Sequence, residues 1–154
     1  MDDPVVEPST KLRNWCAKPL FWRPQHAFFV SESTFLPVFA PFAPASTLAM
    51  RFPDELATIL RAHGVPESFI ADELAAMDDV VVSRTNNRQV LGVLNEFAFM
   101  ANRIRRLHPE VTPLQWALNL AETPVGVHGK TYVFPDIALR ELVESLANGS
   151  SDTV

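Results

Sequence analysis

The chain has 154 residues, a formal net charge of -5, 47% apolar residues and 20% charged residues, the balance of one ordinary globular domain. The acidic balance argues against a dedicated DNA- or RNA-binding protein, because such domains carry a basic face. Cys16 is the single cysteine, which excludes an intramolecular disulfide, and no apolar run reaches the ~20 residues of a membrane helix. We therefore expect a cytoplasmic protein.

The two ends of the chain differ in composition from the middle. Residues 1–10, "MDDPVVEPST", are acidic and contain two prolines, so we expect a flexible lead-in rather than a signal peptide. Residues 148–154 are polar and are expected to fray. No internal repeat or linker interrupts residues 11–147, which are predicted to form a single globular domain.

Two short strands are expected first, at 27–31 ("AFFVS") and 34–39 ("TFLPVF"), with Glu32 in the turn between them. Pro37 has no N–H to donate, so the second strand should be a sheet edge or contain a bulge. One helix layer would not cover all the aromatic rings of these strands. We therefore predict a homodimer or heteromer formed through them, at Phe28, Phe29, Phe35 and Phe39.

Helical periodicity and stop signals follow. Helices are predicted at 54–63, 65–77, 87–107, 112–122 and 135–147, and further strands at 78–85 and 129–134. Pro53 is placed near the start of the first helix and Gly64 just past its end, and Thr112 is the expected N-cap of the fourth. Without regular βαβ alternation, the fold class is α+β, a small mostly antiparallel sheet packed against four to five helices.

The segment 83–88, "SRTNNR", is the most polar stretch and directly precedes the longest helix. Asn86 or Asn87 can cap that helix, and its free N–H groups, its dipole and two arginines all favour a phosphate-like anion. Asn95 lies two turns after Arg88, Glu96 is adjacent, and Gly92 leaves room between them. The predicted binding residues are Glu32, Arg84, Thr85, Asn87, Arg88, Asn95 and Glu96. In the alternative interpretation the segment only begins a helix, and its arginines pair with Asp78 or Asp79.

Recognisable catalytic motifs are absent from the sequence. The four histidines, His26, His63, His108 and His128, have no partner at a metal-ligand spacing, and no glycine-rich phosphate loop occurs. We expect no metal and no cofactor.

Several segments resemble an uncharacterised bacterial domain-of-unknown-function family. The resemblance rests on "AFFVSESTFLP", which is similar to a "VNExTLLP"-like hairpin, on "TNNRQVLGVLNEF", which is similar to a "TxNRxVLGxxN[DE]F" block, and on "LAETP". It covers roughly residues 12–143. The resemblance implies a bacterial origin and supplies no activity.

Two functions stay open. The first is a binding or regulatory module acting through a protein partner or a homo-oligomer, for instance a toxin–antitoxin or mobile-element accessory protein. The second is a small phosphodiester- or nucleotide-acting enzyme, in which Arg84 and Arg88 hold phosphate while Glu32 or Glu96 acts as general base. Convergence of these side chains in a concave pocket would favour the enzyme.

Overall fold

A computed structural model describes residues 12, 14–77, 82–83, 88–127 and 131–151. Within this part of the chain the strands are β1 Trp15–Leu20, β2 His26–Ser31, β3 Pro37–Pro41, β4 Val82–Ser83, β5 Val125–Val127 and β6 Thr131–Val133. The helices are α1 Leu48–Ala62, α2 Glu67–Ala75, α3 Arg88–Leu107, α4 Pro113–Ala121 and α5 Pro135–Ser151. A short 3-10 turn, Ala45–Thr47, leads into α1.

The main sheet has the strand order β3-β2-β1-β4. β2 runs antiparallel to both neighbours, with Ser31 opposite Trp15 and Phe28 opposite Phe39. β4 pairs parallel with β1 where Val82 lies beside Trp15, and β5 and β6 form a separate antiparallel pair. The predicted α+β class is therefore confirmed, as is the edge position of the strand that contains Pro37.

Helices cover both faces of this sheet. On one face the Phe52 ring of α1 lies 5.1 Å from the Trp15 ring and 4.4 Å from the Phe29 ring. On the other face the Trp116 ring of α4 lies 5.5 Å from Phe39 and 5.4 Å from His26. Each of the two apolar faces of the sheet is thus covered by helices, which gives a three-layer arrangement.

This coverage overturns one prediction. The four rings expected to form a subunit interface, Phe28, Phe29, Phe35 and Phe39, are all buried in the chain's own core. The prediction that these rings form a subunit interface is therefore wrong, because α1 covers one face of the sheet while α3 and α4 cover the other. That the chain forms a dimer or heteromer stays a prediction.

The first helix begins six residues before its predicted start and contains Pro53 in its interior. Proline removes a single N–H, the one that would reach the carbonyl of Ala49 in the first turn. Phe52, next to it, is buried against the sheet, and the free energy of burying a ring offsets one lost hydrogen bond. A proline that suggests a helix start by sequence is therefore inside the helix.

Two helix ends have the capping residues that the sequence predicts. Val65 N–H bonds Leu60 O and Gly64 N–H bonds Arg61 O, both at 3.0 Å, and Gly64 has φ +79°. This is a Schellman motif that needs the left-handed conformation of glycine. At α4, Gln115 N donates to Thr112 Oγ1 while Thr112 N donates to Gln115 Oε1, which confirms Thr112 as N-cap of a capping box.

The longest helix is α3, as predicted, and its inner stripe is buried at Val90, Leu94, Phe97 and Ala101. β1 and β5 were not predicted. α5 continues to Ser151, four residues into the segment 148–154 expected to be a tail. No helix in the described ranges combines the length and apolar character needed to cross a bilayer.

Candidate functional site

The predicted anion site lies mostly outside the described residues, which exclude Arg84, Thr85 and Asn87 as well as the candidate cap Asn86. Arg88 is described, as the exposed first residue of α3. The arrangement of two arginines around one helix N-terminus therefore stays a prediction.

Asn95 and Glu96 are exposed on the outer side of α3. Lys18 Nζ donates to Asn95 Oδ1 at 2.9 Å, which links the middle of β1 to the second turn after Arg88. Among the described residues, neither Arg88 nor Glu96 has an ion-pair partner within 4.0 Å. Asn95 therefore meets a lysine that the sequence did not associate with it.

Glu32 is exposed in the turn that joins β2 to β3. Buried Ser31 builds this turn: its Oγ donates to Leu12 O at 2.8 Å and accepts from Ser33 N at 3.2 Å. Glu32 N–H bonds Asn14 O at 3.1 Å. Its carboxylate has no hydrogen bond to α3 in the described part of the chain, and the cavities described below are lined by other residues.

Two phenylalanines are among the most exposed large hydrophobic residues in the described part of the chain. Phe21, just after β1, is 80% exposed, and Phe99, on the outer side of α3, is 71% exposed. They line one shallow groove of about 320 Å³ together with Trp22 and Asn102. Phe99 and Asn102 continue into a second depression of about 420 Å³ that ends at Leu107. We call this continuous region the Phe21–Phe99 surface: Lys18, Phe21, Phe99, Arg103, Arg106 and Leu107.

Positive side chains predominate around this surface, although the exposed Glu96 lies three residues before Phe99 on the same side of α3. Phe99, Arg103 and Arg106 recur at spacings of four and three residues, so they share one side of α3. Arg88 and Asn95 lie eleven and four residues before Phe99 on the same side, so this row extends over ~27 Å of helix. Lys18 contributes a further cation from β1. A protein of net charge -5 therefore carries a local basic stripe with apolar side chains in it.

The groove floor is held by contacts of the Trp22 ring with a guanidinium group and with a second tryptophan. The guanidinium carbon of Arg105 lies 4.5 Å from the centre of the Trp22 ring, and Arg105 Nη2 donates to Asn102 Oδ1 at 2.7 Å. Trp22 contacts the buried Trp116 edge-on, with 5.5 Å between ring centres. Buried His26 donates from Nδ1 to Pro24 O over 2.9 Å. Burial, and then Arg105, lower the pKa of His26, and the bond to Pro24 acts against them. These contacts fix the base of the exposed surface.

A larger apolar groove opens beside Phe21. It has a volume of about 700 Å³ and lies between the start of α1 and the sheet face that α1 covers. Pro53 and Ala49 of α1 form one wall, and Leu74 near the end of α2 and Met77 just after it also line the groove. We call it the sheet-end groove; its sheet-side and ring residues include Ala17, Pro19, Ala27, Phe29, Phe42 and Phe52.

A third concavity gathers most of the charged residues that line any described cavity. It measures about 480 Å³ and lies between the C-terminal end of α1, the C-terminal end of α4 and one side of α5. We call it the His63 cleft. Its polar residues are His63, Glu122, Asp136, Arg140 and Glu144, and its apolar wall includes Val65, Leu118, Leu139 and Val143.

His63 is the most perturbed group in that cleft. Burial lowers its pKa, Asp136 and Glu122 act in the opposite direction, and Arg140 lowers it further. Its Nε2 is enclosed and has no hydrogen-bond partner among the described residues. A charged imidazolium would leave an N–H unpaired there, so the neutral imidazole is favoured.

Comparison with known families gives one result. A family model described as a domain of unknown function, DUF6933, matches residues 2–138. The chain belongs to this family. No curated protein and no solved structure matches the chain. The DUF6933 match includes Glu122 and Asp136 but ends before Arg140 and Glu144, so part of the His63 cleft lies outside the family region.

Sequence reasoning missed both the aromatic surface and the cleft of this DUF6933 protein. The sequence contained a signal for the Phe21–Phe99 surface, because Phe99 falls outside the apolar stripe of α3, where an aromatic residue is unexpected. It contained no signal for the His63 cleft, because His63, Glu122 and Asp136 are widely separated in sequence. Fold alone brings them together.

Proposed function

We propose that this DUF6933 protein is a binding module that acts through a protein partner, which it engages with the Phe21–Phe99 surface. The supporting observation is the contrast between Phe21 and Phe99, 80% and 71% exposed, and the fully covered rings of the sheet. Exposed, contiguous apolar side chains rimmed by polar groups mark interaction sites in soluble proteins. Aromatic residues and arginines are also the side chains that contribute most at interfaces.

The charge of the rim specifies the partner. Lys18, Arg103 and Arg106 attract a protein that presents apolar side chains flanked by aspartate or glutamate. A second copy of this chain is a poorer match, because a two-fold interface would bring each Arg103 and Arg106 towards their counterparts. We therefore infer a heteromeric complex in place of a homo-oligomer.

The geometry of the polar residues supports binding more than catalysis. Arg88, Asn95 and Glu96 project from the convex outer side of a helix, and Glu32 is on a separate turn. A phosphodiester- or nucleotide-acting enzyme would need them in a concavity. The enzyme alternative thus has no supporting arrangement in the described part of the chain.

The setting is part of the proposal. The sequence resemblance supports a bacterial protein, and the single cysteine supports a reducing compartment such as the cytoplasm. A partner encoded beside this chain, as in a toxin–antitoxin or mobile-element pair, would fit a small module of this kind. That assignment is an analogy with other small accessory proteins.

The test is to copurify the chain with the product of the neighbouring gene and to measure the affinity of the purified pair by calorimetry. Phe99→Ser should weaken binding by ~30-fold, the loss typical of a central aromatic residue. Arg103→Glu should slow association and reduce its salt dependence. Melting temperatures of both variants should stay near that of the wild type, since both side chains are exposed.

Tyr132→Ser is the matched control, because Tyr132 is 69% exposed but lies on β6, outside the surface. An unchanged affinity for Phe99→Ser would overturn the proposal. If the chain binds single-stranded RNA, and Phe21→Ser and Phe99→Ser abolish that binding, the surface is a stacking platform for bases. Nucleic acid then replaces protein as its ligand.

A further inference from the structure

The His63 cleft is a site separate from the Phe21–Phe99 surface. Asp136, Leu139, Arg140, Val143 and Glu144 line it, at spacings of three and four residues that place all five on one side of α5. Their apolar members give the cleft a hydrophobic wall, and the charged members ring it. A concavity of about 480 Å³ is within the usual size of small-molecule sites.

The charges in the cleft are unbalanced. Glu122, Asp136 and Glu144 are carboxylates, whereas Arg140 is the single permanent cation among the lining residues. Burial lowers the pKa of His63, which favours its neutral form in the cleft. The lining therefore carries two more negative than positive charges around an apolar wall, which is complementary to a cation with a hydrocarbon part.

We propose that the His63 cleft binds a small organic cation, an alkylammonium compound whose chain packs on Leu118, Leu139 and Val143 while the negative charge of Glu122, Asp136 and Glu144 attracts its ammonium group. A metal ion is a poorer candidate. No group of three histidine, cysteine or acidic side chains suited to a metal occurs in the described part of the chain, and the hydrocarbon wall offers such an ion no ligand.

The position of His63 makes this binding depend on pH. A proton on the imidazole adds positive charge to the cleft and would repel an ammonium ligand. By thermodynamic linkage, the bound cation in turn disfavours protonation of His63. Three other charged groups face the ring. Asp136 and Glu122 attract both the protonated imidazole and the ammonium ligand, whereas Arg140 repels both of them. Affinity should therefore decrease as the pH falls through the titration of His63.

The experiment is an NMR titration of the full chain with n-butylammonium and, separately, with 1-butanol, which has the same hydrocarbon chain but no charge. Saturable shifts are expected at the amides of Gly64, Leu118 and Leu139 with the ammonium compound. Its affinity should exceed that of the alcohol by up to ~5-fold, the upper end of the range for one exposed ion pair. The pKa of His63, read from its ring proton, should fall when butylammonium is present.

Two single substitutions on α5 separate a built site from general electrostatic attraction. Glu144→Gln should weaken butylammonium binding by up to ~5-fold. Glu141→Gln removes a carboxylate charge from the same helix but outside the cleft, and it should leave the affinity for butylammonium unchanged. Both residues are exposed, so folding should be preserved.

Three outcomes would overturn the proposal. The first is equal affinity for butanol and butylammonium, and the second is an equal loss from both substitutions. The third is the lack of saturation up to tens of millimolar ligand at pH 7.5. None of these results involves the partner surface, so this proposal and the proposed function can fail separately.

Discussion

The guanidinium carbon of Arg105 lies 4.5 Å from the centre of the Trp22 ring, and this contact joins α3 to the segment after β1. Arg105→Ala should reduce the free energy of unfolding by ~1–2 kcal/mol, because it removes both the cation–π contact and the bond to Asn102. Arg105→Lys should retain only part of this stabilisation, since an ammonium group lacks the planar, multiply donating guanidinium. Urea denaturation measures the unfolding free energy of both variants. Arg103→Ala, on the exposed side of α3, is the control, and its unfolding free energy should stay within ~0.5 kcal/mol of the wild type.

Ser31 is the structural centre of the turn that presents Glu32. Its hydroxyl is buried and bonds Leu12 O at 2.8 Å, so Ser31→Ala leaves that carbonyl without this donor. We expect a loss of ~1–3 kcal/mol in unfolding free energy. Ser145→Ala, which removes an exposed hydroxyl bonded to Leu142 O, is the comparison. Equal stability of the two variants would show that the turn does not depend on Ser31.

The core position of α3 can be tested with two leucines of the same helix. Leu94 is 2% exposed and Leu91 is 44% exposed. Leu94→Ala should lower the unfolding free energy by ~2–5 kcal/mol, the range for a buried leucine. Leu91→Ala should cost far less, because much of its side chain already contacts water. A melting temperature unchanged in Leu94→Ala would contradict the central role of α3.

The agreement between sequence and structure is best in this helix. An apolar stripe of period 3.6, followed by Pro109, predicts its limits almost to the residue. β1 was missed because "WCAKPL" mixes lysine and proline and shows no clear alternation; its neighbours β2 and β4 supply the hydrogen bonds that make it a strand. The sheet rings were assigned to an interface because sequence alone cannot say how many helix layers cover a sheet.

Gly92 lies on the outer side of α3. Among the described residues, no packed neighbour lies within 4 Å of a Cβ added at this position. Gly92→Ala should therefore raise the unfolding free energy by ~0.5–1 kcal/mol, because glycine has the lower helix propensity. Thermal denaturation tests this. A decrease in stability would mean that a neighbouring segment approaches Gly92 closely.

Stability should fall as the solution is acidified below pH ~6.5, the ordinary pKa of histidine. Burial lowers the pKa of both His26 and His63 in the folded protein. Between that lowered pKa and 6.5 the unfolded chain binds more protons than the folded chain, so the free energy of unfolding increases with pH in this window. Urea midpoints at pH 7.5, 6.5 and 5.5 measure the slope. His63→Gln should flatten part of it, and an equal slope in the variant would exclude His63 as its source.

The exposed edge of the sheet has a further consequence. β3 begins with Pro37 and ends with Pro41, so two of its five residues have no N–H to offer. At the end of the strand, Arg51 donates to the carbonyl of Pro41 at 2.8 Å and to that of Phe42, the next residue, at 3.2 Å. An edge so short of free donors and acceptors is a poor template for a strand from another molecule. The chain can thus concentrate aromatic residues in its strands without inviting their assembly into fibrils.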